Sequence, residues 1–137
     1  MREYLLDTDH LSYLQEGHAR VAAHLRSLPP QAKVFTSVVN IAELLRGVHL
    51  LPAGRRKREL LALYRQILEQ MKEVLPITPE VAEQFAEIDA RLRRTGKPIP
   101  VNDVWVASVA RARGAILVTN DAHFLAVERL VVENWTR

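Results

Sequence analysis

The sequence predicts an α/β protein, a three-layer α/β/α arrangement with a short, mostly parallel sheet. Two observations carry that expectation. Short apolar strand candidates alternate along the chain with longer amphipathic helical segments, the pattern of βαβ units. One of them, Ala115-Ile116-Leu117-Val118-Thr119, is uninterruptedly apolar, as a strand covered on both faces must be.

The elements follow in order. Tyr4-Leu5-Leu6 reads as a first strand, ending at Asp7-Thr8-Asp9, which can cap a helix through Leu11 and Leu14 to Gly17. A second helical stretch, Val21 to Leu28, stops at Pro29-Pro30. Lys33 to Ser37 reads as a strand running into a cap, followed by a helix over Val38 to Leu50. Arg55 to Val74 is the longest helical segment, with Leu60, Leu61, Tyr64, Leu68 and Met71 at helical spacing. Pro79 suits the first turn of the next helix, which carries Val81, Phe85, Ile88 and Leu92 and ends by Gly96. After the extended Pro98-Ile99-Pro100, Asn102 is the expected cap of a helix running to Gly114; both faces of that helix are apolar, which makes it a central helix against the sheet. The 115–119 strand and a last short strand, Leu130-Val131-Val132, complete the chain. With 137 residues, no internal repeat and no dividing linker, one domain over 1–137 is expected.

Composition removes several classes of function. There is no Cys, hence no thiol nucleophile, disulfide or Cys-ligated metal. The five glycines are spaced for neither a P-loop nor a dinucleotide fingerprint. No apolar run approaches a membrane span and the first residues do not read as a signal peptide, so a cytoplasmic protein without membrane contact is expected. The formal charge of +3 is compatible with a polyanionic partner.

The acids are placed unusually. Only five Asp occur, and Asp7, Asp9, Asp103 and Asp121 all fall at predicted element ends. In an open parallel sheet, ligands bind outside the carboxyl ends of the strands, so Asp7 and Asp121 would face one crevice if their strands are neighbours. Glu43 interrupts an otherwise apolar helical run and either pairs with Arg46 or looks into a cleft. Each acid alone can be a helix cap, a first-turn acid or an Asx turn. Taken together, they are the hard oxygen ligands that Mg²⁺ or Mn²⁺ requires.

Four segments then become recognisable. Tyr4-Leu5-Leu6-Asp7-Thr8-Asp9 resembles the opening strand of PIN-domain nucleases. Thr36 to Leu44 with Glu43, Asn102 to Ala110 with Asp103, and Ala115 to Phe124 with Asp121 resemble that family's further acidic motifs. Their order, spacing and the chain length are similar to the VapC-like toxins of bacterial toxin–antitoxin modules. The resemblance implies a PIN fold and a metal-dependent endoribonuclease that leaves 5′-phosphate and 3′-hydroxyl ends. It implies Asp7, Glu43, Asp103 and Asp121 as catalytic and metal-holding acids for one or two Mg²⁺ or Mn²⁺ ions. Thr8, Asp9 and Thr119 would orient those carboxylates from behind. Asp9 stands where the family commonly has Asn, and Trp105 is bulkier than its usual aliphatic counterpart. The implied partners are an RNA substrate, a small antitoxin protein and a second copy of the chain. A PIN-type RNA-processing nuclease outside such a module, or a non-catalytic binding module, is the alternative.

Further expectations concern the surroundings. Arg55, Arg56, Lys57 and Arg58 open the long helix, and Arg91, Arg93, Arg94 and Lys97 end the next. They read either as solvated helix faces or as contacts to an RNA backbone. His123 stands in no paired motif and reads as a structural or surface residue. The stripe Leu60, Leu61, Tyr64, Leu68, Met71 and the segment Leu44, Leu45, Val48, Leu50, Leu51 either pack on the sheet or leave apolar area for self-association.

Overall fold

A computed structural model describes residues 2–137. Five strands form one sheet in the order β3-β2-β1-β4-β5, with every neighbouring pair parallel: β1 (Glu3–Leu6), β2 (Lys33–Ser37), β3 (Val74–Leu75), β4 (Ile116–Val118) and β5 (Val132–Glu133). The period-2 alternation of the strands sorts their side chains between two cores. Leu5, Phe35 and Leu117 point to one side, where α5 (Pro79–Arg94) and α6 (Val101–Arg113) pack. Tyr4, Leu6 and Val118 point to the other, covered by α1 (Thr8–Glu16), α2 (Ala19–Ser27), α3 (Val38–His49) and α4 (Arg55–Glu69). The α/β three-layer expectation is met.

The topology reverses at β1. The chain leaves β1 towards β2 and β3, then returns to lay β4 on β1's other side. Right-handed crossovers in opposite directions place their helices on opposite faces, which accounts for α1 and α2 on one side and α5 and α6 on the other. The β1–β4 junction is therefore the switch point of the sheet, where the diverging connections open a crevice at the strands' carboxyl ends. Registers Leu5↔Leu117 and Leu6↔Val118, continued by the Asp7 N–H donating to Val118 O at 2.9 Å, bring residues 7 and 119 together there.

Three expectations need correcting. The long helix ends at Glu69; Val74–Leu75 is a two-residue strand, its position set by pairing with Thr36 and Ser37 rather than by helical period. Helix α6 begins at Val101 with Pro100 in the cap position, so Asn102 lies inside the first turn and does not cap it. The final strand is Val132–Glu133, shifted from Leu130–Val132 because Val131 O and Glu133 O receive the Leu117 and Thr119 N–H groups of β4. The two apolar stripes are largely consumed internally: Leu44, Val48 and Tyr64 are buried in the second core with Leu60, Leu61, Leu68 and Met71 against them, while Leu50 remains 78% exposed.

Candidate active site

Asp7 anchors the site. It occupies the N-cap position of α1, yet its side chain makes no capping bond; the Asp7 carbonyl oxygen instead accepts from His10 N and Leu11 N. The carboxylate is free to turn into the crevice and is 7% exposed. Thr119 Oγ1 donates to Asp7 Oδ2 at 2.7 Å from the end of β4, and Asn40 Nδ2 donates to Asp7 Oδ1 at 2.9 Å from α3. Burial pushes the Asp7 carboxyl up to about 7, against the lowering pull of the Thr119 bond, with Asp9 and Asp103 adding like-charge repulsion.

The supporting groups are themselves held. Ser37 caps α3 by accepting from Asn40 N, and its hydroxyl donates to Asn40 Oδ1 at 2.6 Å. With its oxygen engaged, the Asn40 amide presents its nitrogen to Asp7 and, at 3.1 Å, to Thr8 Oγ1. Thr8 passes the bond on, donating to Glu43 Oε1 at 3.1 Å. Glu43 therefore does not pair with Arg46; it faces a cleft that it lines together with Arg46, Asn102 and Trp105. Thr119 Oγ1 also accepts from Asp121 N at 3.0 Å, and Asp121 Oδ1 accepts from His123 N at 2.9 Å in the Asx turn expected there.

Asp103 completes the acidic group from the first turn of α6. Burial raises its carboxyl above the ordinary range, Asp121 and Glu43 adding to the rise and His123 opposing it. The ligand atoms of Asp103, Asp121 and His123 lie within 4.8 Å of one another, and His123 Nδ1 is 3.1 Å from a carboxylate oxygen of each acid. The Asp103 hydrogen bond and the neighbouring Asp121 charge raise the imidazole. His123 is thus a surface residue, as expected, but one engaged with two of the acids.

Asp9 stands behind this group. Its Oδ2 accepts from Asn120 N at 2.8 Å and lies 3.5 Å from Thr119 Oγ1, and its Oδ1 accepts from His10 Nδ1 at 2.8 Å. His10 is fully buried, and Trp135 N donates to its Nε2 at 3.2 Å, which places the ring proton on Nδ1. The basic clusters lie apart from the acids in their contacts. Arg55 pairs with Glu59, Arg91 with Glu128 and Arg93 with Asp89, and Lys57 donates to His49 O.

The family model of the PIN domain matches residues 4–130. The chain belongs to the PIN-domain family. Its PIN fold extends to particular relatives. Ribonuclease VapC2 of Haemophilus influenzae is 32% identical over 136 residues, covering 98% of this chain and 99% of the relative. Toxin FitB of Neisseria gonorrhoeae is 31% identical, covering 96% and 97%. Among solved structures, VapBC2 from Rickettsia felis, bound to a DNA fragment from its promoter, superposes on this PIN domain with a TM-score of 0.88 at 26% identity, covering 97% of this chain and 98% of that one.

The residues missed by sequence reasoning are Asn40 and His10. Asn40 sits one helical turn before Glu43 in a run otherwise apolar, and that polar intrusion was the available signal.

Proposed function

We propose that this PIN domain is a divalent-metal-dependent endoribonuclease, the toxin of a toxin–antitoxin pair, with Asp7, Glu43, Asp103 and Asp121 as its catalytic acids. The observation that carries this reading is the convergence of four carboxylates from four separate elements at the sheet's switch point, one of them buried and held near neutrality. Relatives named Ribonuclease VapC2 and Toxin FitB support the activity and the biological class.

The donor set fits Mg²⁺ or Mn²⁺: it consists of hard carboxylate oxygens without sulfur. Asp7, Glu43, Asp103 and Asp121 would hold one or two such ions. A divalent cation supplies, when bound, neutralisation of the phosphodiester charge and acidification of water. The chain's own groups prepare for it. Thr119 and Asn40 fix both oxygens of Asp7, Thr8 fixes Glu43, and Asp9 holds the Asn120 backbone, so Asp7 and Glu43 would meet an ion without a rotamer search. When protonated, His123 balances Asp103 and Asp121 in the metal-free protein. Arg56, Arg58, Arg94 and Lys97 are exposed and would contact the RNA backbone. A small antitoxin protein and a second copy of this chain are the proposed protein partners; the likeness to VapBC-5 of Mycobacterium tuberculosis, a member of the VapBC family of toxin-antitoxin systems, supports the first.

The test is RNA cleavage in chelator, Mg²⁺ and Mn²⁺ by the wild type and by Asp103→Asn. Cleavage that requires metal and disappears in the variant is expected. Undiminished cleavage by Asp103→Asn, or in chelator, overturns the reading.

A further inference from the structure

Beside the acids lies a second feature that the metal chemistry does not use. A cleft of about 330 Å³ opens next to Asp121, lined by Asn120, Leu125, Val132, Asn134 and Arg137. Its volume is at the lower end for small-molecule sites, the scale of one nucleotide rather than several. Its wall is apolar, with Leu125 75% exposed, whereas its rim is polar and oriented.

The orientation comes from a relay of amides. Thr136 N and Thr136 Oγ1 both donate to Asn134 Oδ1, at 3.0 and 2.7 Å. Asn134 Nδ2 donates to Asn120 Oδ1 at 2.7 Å, and Asn120 Nδ2 donates to Tyr13 OH at 3.2 Å. Each amide nitrogen carries two N–H groups and spends one in this relay. The second N–H of Asn134 and of Asn120 has no partner among the described residues. Arg137, exposed on the same cleft, adds the planar donor fork of its guanidinium. Fixed donors above an exposed apolar wall suit a flat ring that carries acceptors along one edge. A bare phosphate would use the donors and leave the wall idle.

We propose that this cleft receives one nucleobase of the RNA beside the scissile phosphate, and that Asn134 and Arg137 read an edge with adjacent acceptors, the O6/N7 edge of guanine being the one that a guanidinium fork most commonly grips. The inference rests on the nuclease reading for its place in the reaction, because Thr119 and Asp121 belong both to the cleft and to the acidic group. A base seated here lies next to the reacting phosphate, and its recognition selects the cleavage position.

Two measurements test it, one independent of cleavage. Isotope-labelled protein is titrated with the four ribonucleoside 5′-monophosphates and with inorganic phosphate, following the side-chain resonances of Asn120, Asn134 and Arg137. Guanosine monophosphate is expected to shift them at the lowest concentration, and Arg137→Ala to abolish the preference. Equal shifts by all four nucleotides, or shifts by phosphate alone, overturn the proposal. In the second, short RNAs differing only in the base beside the cleavage position are compared by kcat/KM. A preference for guanine of roughly 5- to 150-fold is expected, falling towards one in Arg137→Ala and in Asn134→Asp, which keeps the Thr136 bonds but loses the amide donor. Variants that retain the wild-type preference overturn it. A protein that binds guanosine monophosphate in the cleft but cleaves no RNA rejects the nuclease reading and leaves the base site standing.

Discussion

Replacing Asp7 with Asn should stabilise the metal-free protein at alkaline pH while destroying its activity. Unfolded, this carboxyl titrates near 3.8; folded, burial holds it at about 7. Between those values the folded chain binds a proton that the unfolded chain has released. A raised acid contributes stability that is fully present below the unfolded value and lost as pH climbs through the folded one. At 1.36 kcal/mol per unit, moving from pH 5 to pH 8 removes roughly 2 to 3 kcal/mol. In a chain of 137 residues that is a fall in Tm of roughly 8 °C. Asp103 and His123, both shifted upwards, act with the same sign. Asparagine keeps Oδ1 for the Asn40 donor, and its amide can donate towards Thr119 Oγ1, so the shape survives without the charge. The assay is thermal unfolding in chelator at pH 5, 6, 7 and 8, for the wild type and Asp7→Asn, with RNA cleavage measured alongside. The wild type should lose Tm across the series and the variant should lose much less. A wild-type Tm that is flat or rises over this range, or an equally steep fall in the variant, refutes the reasoning.

Other outcomes follow from the same geometry. Mg²⁺ or Mn²⁺ should raise the wild-type Tm more at pH 8 than at pH 6, because the ligands must be deprotonated to bind; thermal scans at fixed metal concentration check this. Thr119→Val removes the donor to Asp7 and the acceptor for Asp121 N, and should cost about 1–3 kcal/mol by urea unfolding together with more than tenfold in cleavage rate. His123→Ala should tighten Mg²⁺ binding at pH 6 with a smaller effect at pH 8, measured calorimetrically, since a protonated imidazole competes for Asp103 and Asp121.

The parts of this site legible in the sequence were those that depend on local position. Asp7 at a strand end, Ser37 at a helix cap and Pro79 in a first turn all declare themselves within a few residues. β3 did not, because two residues cannot display a period and Val74–Leu75 continues a helical pattern by chance; only pairing with β2 makes it a strand. The Asn102 cap failed because Pro100 ahead of it has a fixed φ and lacks an N–H, which suits the position just outside the helix. Asn40 was visible as a polar residue in an apolar run, but its partner Asp7 lies 33 positions away and no local rule links them. His10 was invisible for the same reason: its acceptor role is set by Trp135, 125 residues later. The aliphatic stripes of α3 and α4 were legible as stripes, though not as to what covers them, which depends on how four helices share one face of the sheet.

That separation has a consequence for how the protein comes into being on the ribosome. Asp7 is made 112 residues before Thr119, whose hydroxyl holds its carboxylate. The strand that supplies Thr119 is itself paired to β5, and Trp135 beyond it fixes the ring that steadies Asp9. A nascent chain halted between residues 103 and 119 carries Asp7, Glu43 and Asp103 but lacks Asp121 and the Thr119 hydroxyl, and its β1 has no β4 beside it. Domains mature as units when their defining contacts are distant in sequence. An enzyme able to cut RNA would thereby remain inert until β4 has docked beside β1.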